Sequence, residues 1–243
     1  MSKIFLISDA HLGAHTESLE NQKQRRLLSF LEHVKIHGDR LFILGDLFDF
    51  WFEYRHVIPR YHFAVLQSLS DLTVRGITVD FITGNHDYWA GSFFQDALGI
   101  TVHADPLDIN IHGKRFLLAH GDGLAAKDRG YRLLKRFLRH RVSIFLFRMI
   151  HPDLGYGLAK MSSGISRRAG FLDDVEEEYF LYARNRFQEG FDGVVIGHTH
   201  LPSIREEDHK TFINLGDWIT HFTYGVIENG RCQLLNWKNE AIP

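Results

Sequence analysis

Two histidines one residue apart, His198-Thr199-His200, follow the apolar run Val194-Val195-Ile196-Gly197. Far upstream, Asp9-Ala10-His11 stands just behind a second apolar run, Ile4-Phe5-Leu6-Ile7. Between them come, in order, Gly45-Asp46, Gly84-Asn85-His86-Asp87 and His120-Gly121, each at the end of a strand-like run. Asp9, His11, Asp46, Asn85, His120, His198 and His200 thus offer the oxygen and nitrogen donors needed to hold two metal ions side by side. Two divalent ions about 3.5–4 Å apart suit hydrolysis of phosphate esters: they hold the phosphoryl oxygens, neutralise charge and lower the pKa of a bound water. Such a pair needs a shared carboxylate, and Asp46, exposed by the Gly45-Asp46 turn, is the natural bridge. Mixed imidazole and carboxylate donors favour Mn, Fe, Zn or Co over Ca. Any one of these residues alone is weak evidence, since an Asp behind a strand is more often a helix cap. Recurrence of five blocks in order is what carries the reading. The remaining histidines, His62 among them, are expected at the surface or in the core.

The elements that must position these blocks follow from periodicity. Short apolar runs alternate with helical patterns, which argues for βαβ units. Strands are expected at Lys3–Ser8, Arg40–Gly45, Thr78–Thr83, Asp108–His112, Arg115–Ala119, Gly193–Gly197, Thr211–Asn214 and Thr223–Glu228. Asn229-Gly230 marks a hairpin into Cys232–Trp237. Helices are expected at Leu19–His37 and Arg60–Arg75, and Asp87 could cap a third over Tyr88–Leu98. In open α/β sheets ligands bind beyond the carboxyl ends of strands, where all seven candidate donors fall.

From Leu124 to Gly190 the pattern turns helical and strand-free. Leu134, Leu138, Phe145 and Met149 mark an apolar face; Arg132, Lys135, Arg136 and Arg139 mark a basic one. Residues 1–123 and 191–243 then form the core, and 124–190 a helical insertion beginning four residues after His120. Its apolar side chains would either pack the insertion onto itself or line a pocket for an apolar substrate.

With 243 residues, 44% apolar and 24% charged, the chain is long enough for one sizeable globular α/β domain. A single cysteine, Cys232, excludes an intramolecular disulfide and fits a reducing compartment. The N-terminal apolar run is too short for an export signal, and no stretch approaches the roughly 18 residues of a spanning helix. A cytoplasmic location is therefore expected. Charge is uneven: residues 124–170 hold eleven Lys/Arg against Asp128 and Asp153, a balance of +9, so a total of −2 leaves −11 elsewhere. Such a basic block attracts phosphate, nucleic acid or an anionic membrane.

The blocks Asp9-Ala10-His11, Gly45-Asp46-Leu47-Phe48-Asp49, Gly84-Asn85-His86-Asp87, His120-Gly121-Asp122 and Gly197-His198-Thr199-His200 resemble those of the calcineurin-like metallophosphoesterase superfamily across nearly the whole chain. The resemblance implies an α/β fold, a four-layer α/β/β/α sandwich with a helical cap insertion, carrying two metals at one sheet end. It implies that Asp9, His11, Asp46 and His200 hold one ion and that Asp46, Asn85, His120 and His198 hold the other. Mn²⁺ is the family expectation, with Fe, Co and Zn also accepted. Asn85 would touch substrate phosphate, His86 would act on the leaving group, and Asp87 would orient His86.

Gly45-Asp46-Leu47-Phe48-Asp49-Phe50-Trp51, His120-Gly121-Asp122-Gly123-Leu124 and Asp128-Arg129-Gly130-Tyr131 look like the UDP-2,3-diacylglucosamine pyrophosphatases of lipid A biosynthesis. This likeness implies release of UMP and 2,3-diacylglucosamine 1-phosphate from a glycolipid-nucleotide at the inner membrane surface. Asp128 and Tyr131 match cap positions near the sugar, and Lys160, Arg167 and Arg168 are candidates for phosphate contact. The chain departs from the best-known members at His86, where they carry Arg. The alternative is a soluble phosphomonoesterase or phosphodiesterase acting on nucleotides or other small phosphate esters. A non-catalytic scaffold is disfavoured because every ligand is present. A pI of about 6.8 and the lack of an aromatic-interleaved groove pattern argue against nucleic acid as a partner.

Overall fold

A computed structural model describes residues 2–124, 129–168 and 175–237. Its centre is built from short, largely apolar runs, as strands buried on both faces favour. Strand β1 (Ile4–Ile7) pairs in parallel with β2 (Arg40–Leu44), which pairs in parallel with β3 (Thr78–Ile82). Edge strand β4 (Thr101–His103) extends this sheet beyond β3. A second sheet contains β5 (Leu107–Ile111), β6 (Lys114–Leu118), β7 (Gly193–Ile196), β8 (Ser203–Glu207) and β9 (Lys210–Asn214), in the order β5-β6-β7-β9-β8. The hairpin β10 (Thr223–Glu228) and β11 (Arg231–Asn236) returns to the first sheet, where β10 lies antiparallel to β1. Strands β4 and β8 were not foreseen. One is three residues long and the other reads Ser-Ile-Arg-Glu-Glu, because edge strands need only half the apolar content of central ones.

Alternation within β1 sends side chains to two different cores. Ile4 and Leu6 join Phe42, Leu44 and Ile82 against Leu118, Val195, Ile213 and Leu215 of the second sheet. Phe5 and Ile7 point the other way, onto helix α1 (Glu17–His37) through Leu27, Phe30, Leu31 and Val34. Helices α2 (Phe63–Val74) and α3 (Phe93–Leu98) cover the same outer face through Val65, Leu66, Leu69, Phe94 and Leu98. The third helix is thus shorter than Tyr88–Leu98, and Asp87 does not cap it.

The helical stretch after His120 comprises α4 (Arg129–Leu138), α5 (Arg141–Arg148), α6 (Pro152–Arg168) and α7 (Val175–Gln188). It is not uniform. Val175, Tyr179, Ala183 and Phe187 of α7 recur every four residues and bury against Val194, Ile196 and Phe212 of the second sheet. Helix α7 is therefore a core helix, and the segment standing off the core ends before it rather than at residue 190. In α4–α6, Leu134, Phe145 and Leu146 are 51–61% exposed, so among the described residues these side chains do not close a core of the insertion's own. The insertion docks on the core through a different residue, Phe147, whose ring lies 4.8 Å from Phe52 and 5.1 Å from Trp89. The Trp89 indole also donates to the Leu138 carbonyl at 3.2 Å.

Candidate metal centre and active site

Each donor block sits in the turn leaving a strand: Asp9 and His11 after β1, Asp46 after β2, Asn85 after β3, His120 after β6, and His198 and His200 after β7. The turns are laced together. The amide of His11 donates to the Asp46 carbonyl at 2.9 Å, Gly197 to the His120 carbonyl at 2.8 Å, and His198 to Asp9 Oδ2 at 2.8 Å. The backbone at five of the seven donors is left-handed: Asp9 (φ 53°), His11 (42°), Asp46 (52°), His198 (72°) and His200 (62°). Outside glycine this costs about 1–2 kcal/mol per residue. Such strain persists where surrounding structure over-determines it, and it clusters at functional sites. Close approach explains two glycines. A Cβ on Gly84 would fall on the Asp46 carboxylate, and one on Gly197 would fall on Asp9 Oδ2.

All seven side chains converge. Asp46 Oδ2 lies 3.5 Å from His11 Nε2 on one side and 3.3 Å from His120 Nε2 on the other. On the first side, His200 Nε2 is 3.1 Å from His11 Nε2 and 3.4 Å from Asp9 Oδ1. On the second, His120 Nε2 is 3.2 Å from both Asn85 Oδ1 and His198 Nδ1. Asp9-His11-His200 and Asp46-His120-His198 each gather three donors within 4.8 Å of one another. His120 donates Nδ1–H to the Leu44 carbonyl at 2.8 Å, which turns its Nε2 towards Asp46, Asn85 and His198. Those neighbours are acceptors, so a proton or a shared cation must sit among them. Buried Asp9 Oδ1 has no hydrogen-bond partner and calls for the same.

The electrostatics agree. Burial would lower His11 and His120, yet the carboxylates around them outweigh it. Asp49, Asp9 and Asp46 raise His11 to about 9, and Asp46 and Asp9 raise His120 to about 10. Burial would raise Asp46, but His120, His86 and His11 hold it well below the carboxylate range. Burial, aided by His120, pushes His198 down to about 4 and keeps it a neutral donor. The pocket demands positive charge, and its mixed nitrogen and oxygen donors fit a pair of borderline divalent ions.

His86 stands at the rim, its Nε2 3.9 Å from Asp46 Oδ2. Its Nδ1–H donates to the Asp49 carbonyl at 2.7 Å, so the orienting group is Asp49 rather than the expected Asp87. Asp87 instead accepts from the amides of Gly84 and Leu47, both at 2.8 Å, and ties the turn after β3 to the turn after β2. Asp49 had a visible signal, its place three residues after Asp46. Asp122 was also missed. Its buried carboxylate accepts from Tyr131 Oη at 3.0 Å and Lys135 Nζ at 2.6 Å, while Arg139 reaches both it and the Gly84 carbonyl at 3.4 Å. Tyr131 is thus engaged in docking α4. Lys160 lines a cavity of about 430 Å³ with Tyr156, Tyr61 and Glu20. Asp128 and the side chains of Arg167 and Arg168 lie outside the described residues.

The model of the calcineurin-like phosphoesterase family matches residues 2–202, and the chain belongs to that family. At the level of relatives, it is 33% identical to a UDP-2,3-diacylglucosamine hydrolase of Porphyromonas gingivalis, over 93% of this chain and 94% of that protein. Proteins of the same name from Pseudomonas syringae and Aeromonas salmonicida are each 31% identical. They cover 88% and 96% of this chain, and 88% and 92% of their own lengths. Among solved structures, a novel archaeal phosphodiesterase shares the fold at a TM-score of 0.50 and 14% identity, covering 96% of this chain and 99% of that one.

Proposed function

We propose that the chain is a dinuclear-metal hydrolase that cleaves the pyrophosphate of UDP-2,3-diacylglucosamine, giving UMP and 2,3-diacylglucosamine 1-phosphate. The observation that carries this is Asp46 Oδ2 set between two donor clusters, 3.5 Å from His11 Nε2 and 3.3 Å from His120 Nε2. Asp9, His11, Asp46 and His200 would hold one ion, and Asp46, Asn85, His120 and His198 the other. The bound pair, Mn²⁺ by preference, would supply positive charge to the phosphoryl oxygens and acidify an attacking water. The protein's own groups do the rest. Asn85, whose Oδ1 faces His120, keeps its amide N–H groups for a phosphoryl oxygen. His86 turns Nε2 towards the site and meets charge on the departing oxygen, with the Asp49 carbonyl fixing its ring.

Relatives with this substrate in their names align over nearly the whole chain, which supports the lipid-linked substrate over a small soluble ester. So does the exposed apolar surface of α4–α6, where Leu133, Phe137 and Met149 are 67–73% exposed beside Arg132 and Arg136. Basic residues interleaved with apolar ones suit contact with an anionic membrane surface at about 1 kcal/mol per charge. Among the described residues no helix is long and apolar enough to cross a membrane. The test is release of UMP from UDP-2,3-diacylglucosamine by Mn²⁺-loaded protein, with Asp46→Ala as control. Rapid release that the variant loses supports the proposal. Activity on an aryl phosphate diester without UMP release would keep the metal mechanism and reject the substrate.

A further inference from the structure

Helix α1 carries a buried lysine where an amphipathic surface helix should have none. Lys23 is 4% exposed, and lysine is almost never buried unless paired. Its Nζ donates to the carbonyl of His11 at 2.8 Å and meets Glu20 Oε1 at 3.0 Å and His15 Nδ1 at 3.3 Å. Glu20, one turn earlier, accepts from the amide of Gly13 through Oε2 and from that of His15 through Oε1, both at 2.9 Å. Three backbone groups in a five-residue turn are thus held by two side chains from one helix. In that turn His11 and Gly13 are left-handed, at φ 42° and 97°, as is Asp9 just before it, at 53°. Strain of this kind requires contacts that leave the chain no alternative. The amides of Asp9, His11 and Leu12 donate to the turn after β2, and the Trp218 amide donates to the Asp9 carbonyl at 3.0 Å; the stretch from His11 to His15 is held from the other side by α1.

We propose that Glu20 and Lys23 are a positioning pair that fixes His11 in ligating geometry, and so sets the affinity of the first metal position without touching metal or substrate. The inference rests on the dinuclear reading above. It predicts asymmetry: the Asp9-His11-His200 position depends on the pair, while His120 and His198, carried by the second sheet, do not. Partners that orient metal ligands from behind are worth about 10–100-fold in affinity.

The experiment is a titration of metal-free protein with Mn²⁺ alone, followed by electron paramagnetic resonance, for wild type, Lys23→Met, Glu20→Gln and Lys23→Arg, with melting curves to establish folding. The expected result is two equivalents in wild type with a spin-coupled signal. In Lys23→Met and Glu20→Gln, one position should weaken by about tenfold or more, leaving an uncoupled single-ion signal, and Lys23→Arg should restore much of the loss. Should Lys23→Met fail to fold, Glu20→Gln decides. Folded variants with both affinities unchanged, or with both lowered equally, overturn the pair's role. A wild type that never takes up two equivalents refutes the metal centre, and the pair's role with it.

Discussion

Gly197→Ala is the substitution whose consequence can be worked most directly. Gly197 is not in the left-handed region, so alanine is conformationally allowed and the effect is steric. The new methyl would land on Asp9 Oδ2 and on Ser8 Oγ and Cβ. Relief requires the Asp9 carboxylate to rotate, which breaks its 2.8 Å bond from the His198 amide. A hydrogen bond to a charged group contributes about 1.5–3 kcal/mol, and overpacking adds about 1–3 kcal/mol. If about 3 kcal/mol of this falls on the folded ligating geometry, metal affinity drops by about 10²-fold. Misplacement of a ligand by about 1 Å lowers turnover by a similar factor. The assay is metal content after equilibrium dialysis against graded Mn²⁺, beside turnover and melting temperature. Gly157→Ala in α6 is the control, since nothing lies within 4 Å of its Cβ position. It should keep its metal. Wild-type metal affinity and turnover in Gly197→Ala would refute the claim that this close approach holds Asp9 in place.

Other perturbations separate the remaining roles. His86→Ala should lower turnover by about 10²-fold or more with metal content near normal, measured by steady-state kinetics and elemental analysis; equal turnover would remove His86 from the chemistry. His62, its ring centroid 4.6 Å from that of Phe48 and tilted 48° to it, is depressed by burial to about 4 from 6.5. Its neutral form is the folded one, so the unfolded chain binds the extra proton between pH 6.5 and 4 and stability falls as pH falls through that window. The loss approaches about 3 kcal/mol. His62→Phe should flatten this part of a denaturant-monitored pH profile, and an unchanged slope would refute the assignment. Asp122→Asn should loosen α4 from the core and speed amide exchange across Arg129–Leu138 by about tenfold or more, while exchange in β1 stays fixed. Replacing Phe145 and Leu146, 61% and 60% exposed, with serine should weaken binding to anionic vesicles by about tenfold or more and spare turnover on an aryl phosphate diester.

Much of this was written in one dimension because the chemistry is short-range in sequence. A donor that must project from the end of a parallel strand sits directly behind an apolar run, so each of the five blocks announced its own position, as did the central strands. The departures have one physical origin: they depend on partners distant in the chain. Asp87 looked like a helix cap or an orienter of His86, but its nearest donors after folding are the amides of Gly84 and Leu47. The carbonyl that orients His86 belongs to Asp49, thirty-seven residues away. Helix α7 shares the polarity of the helices before it, and only the exposed face of the second sheet makes it a core helix. The amphipathic pattern of α4 specified an apolar and a basic face. Asp122, buried beside the metal loops, turned part of the basic one inward. Residue types set which atoms could ligate, while packing of one sheet on the other brought Asp46 of the first within 3.3 Å of His120 from the second.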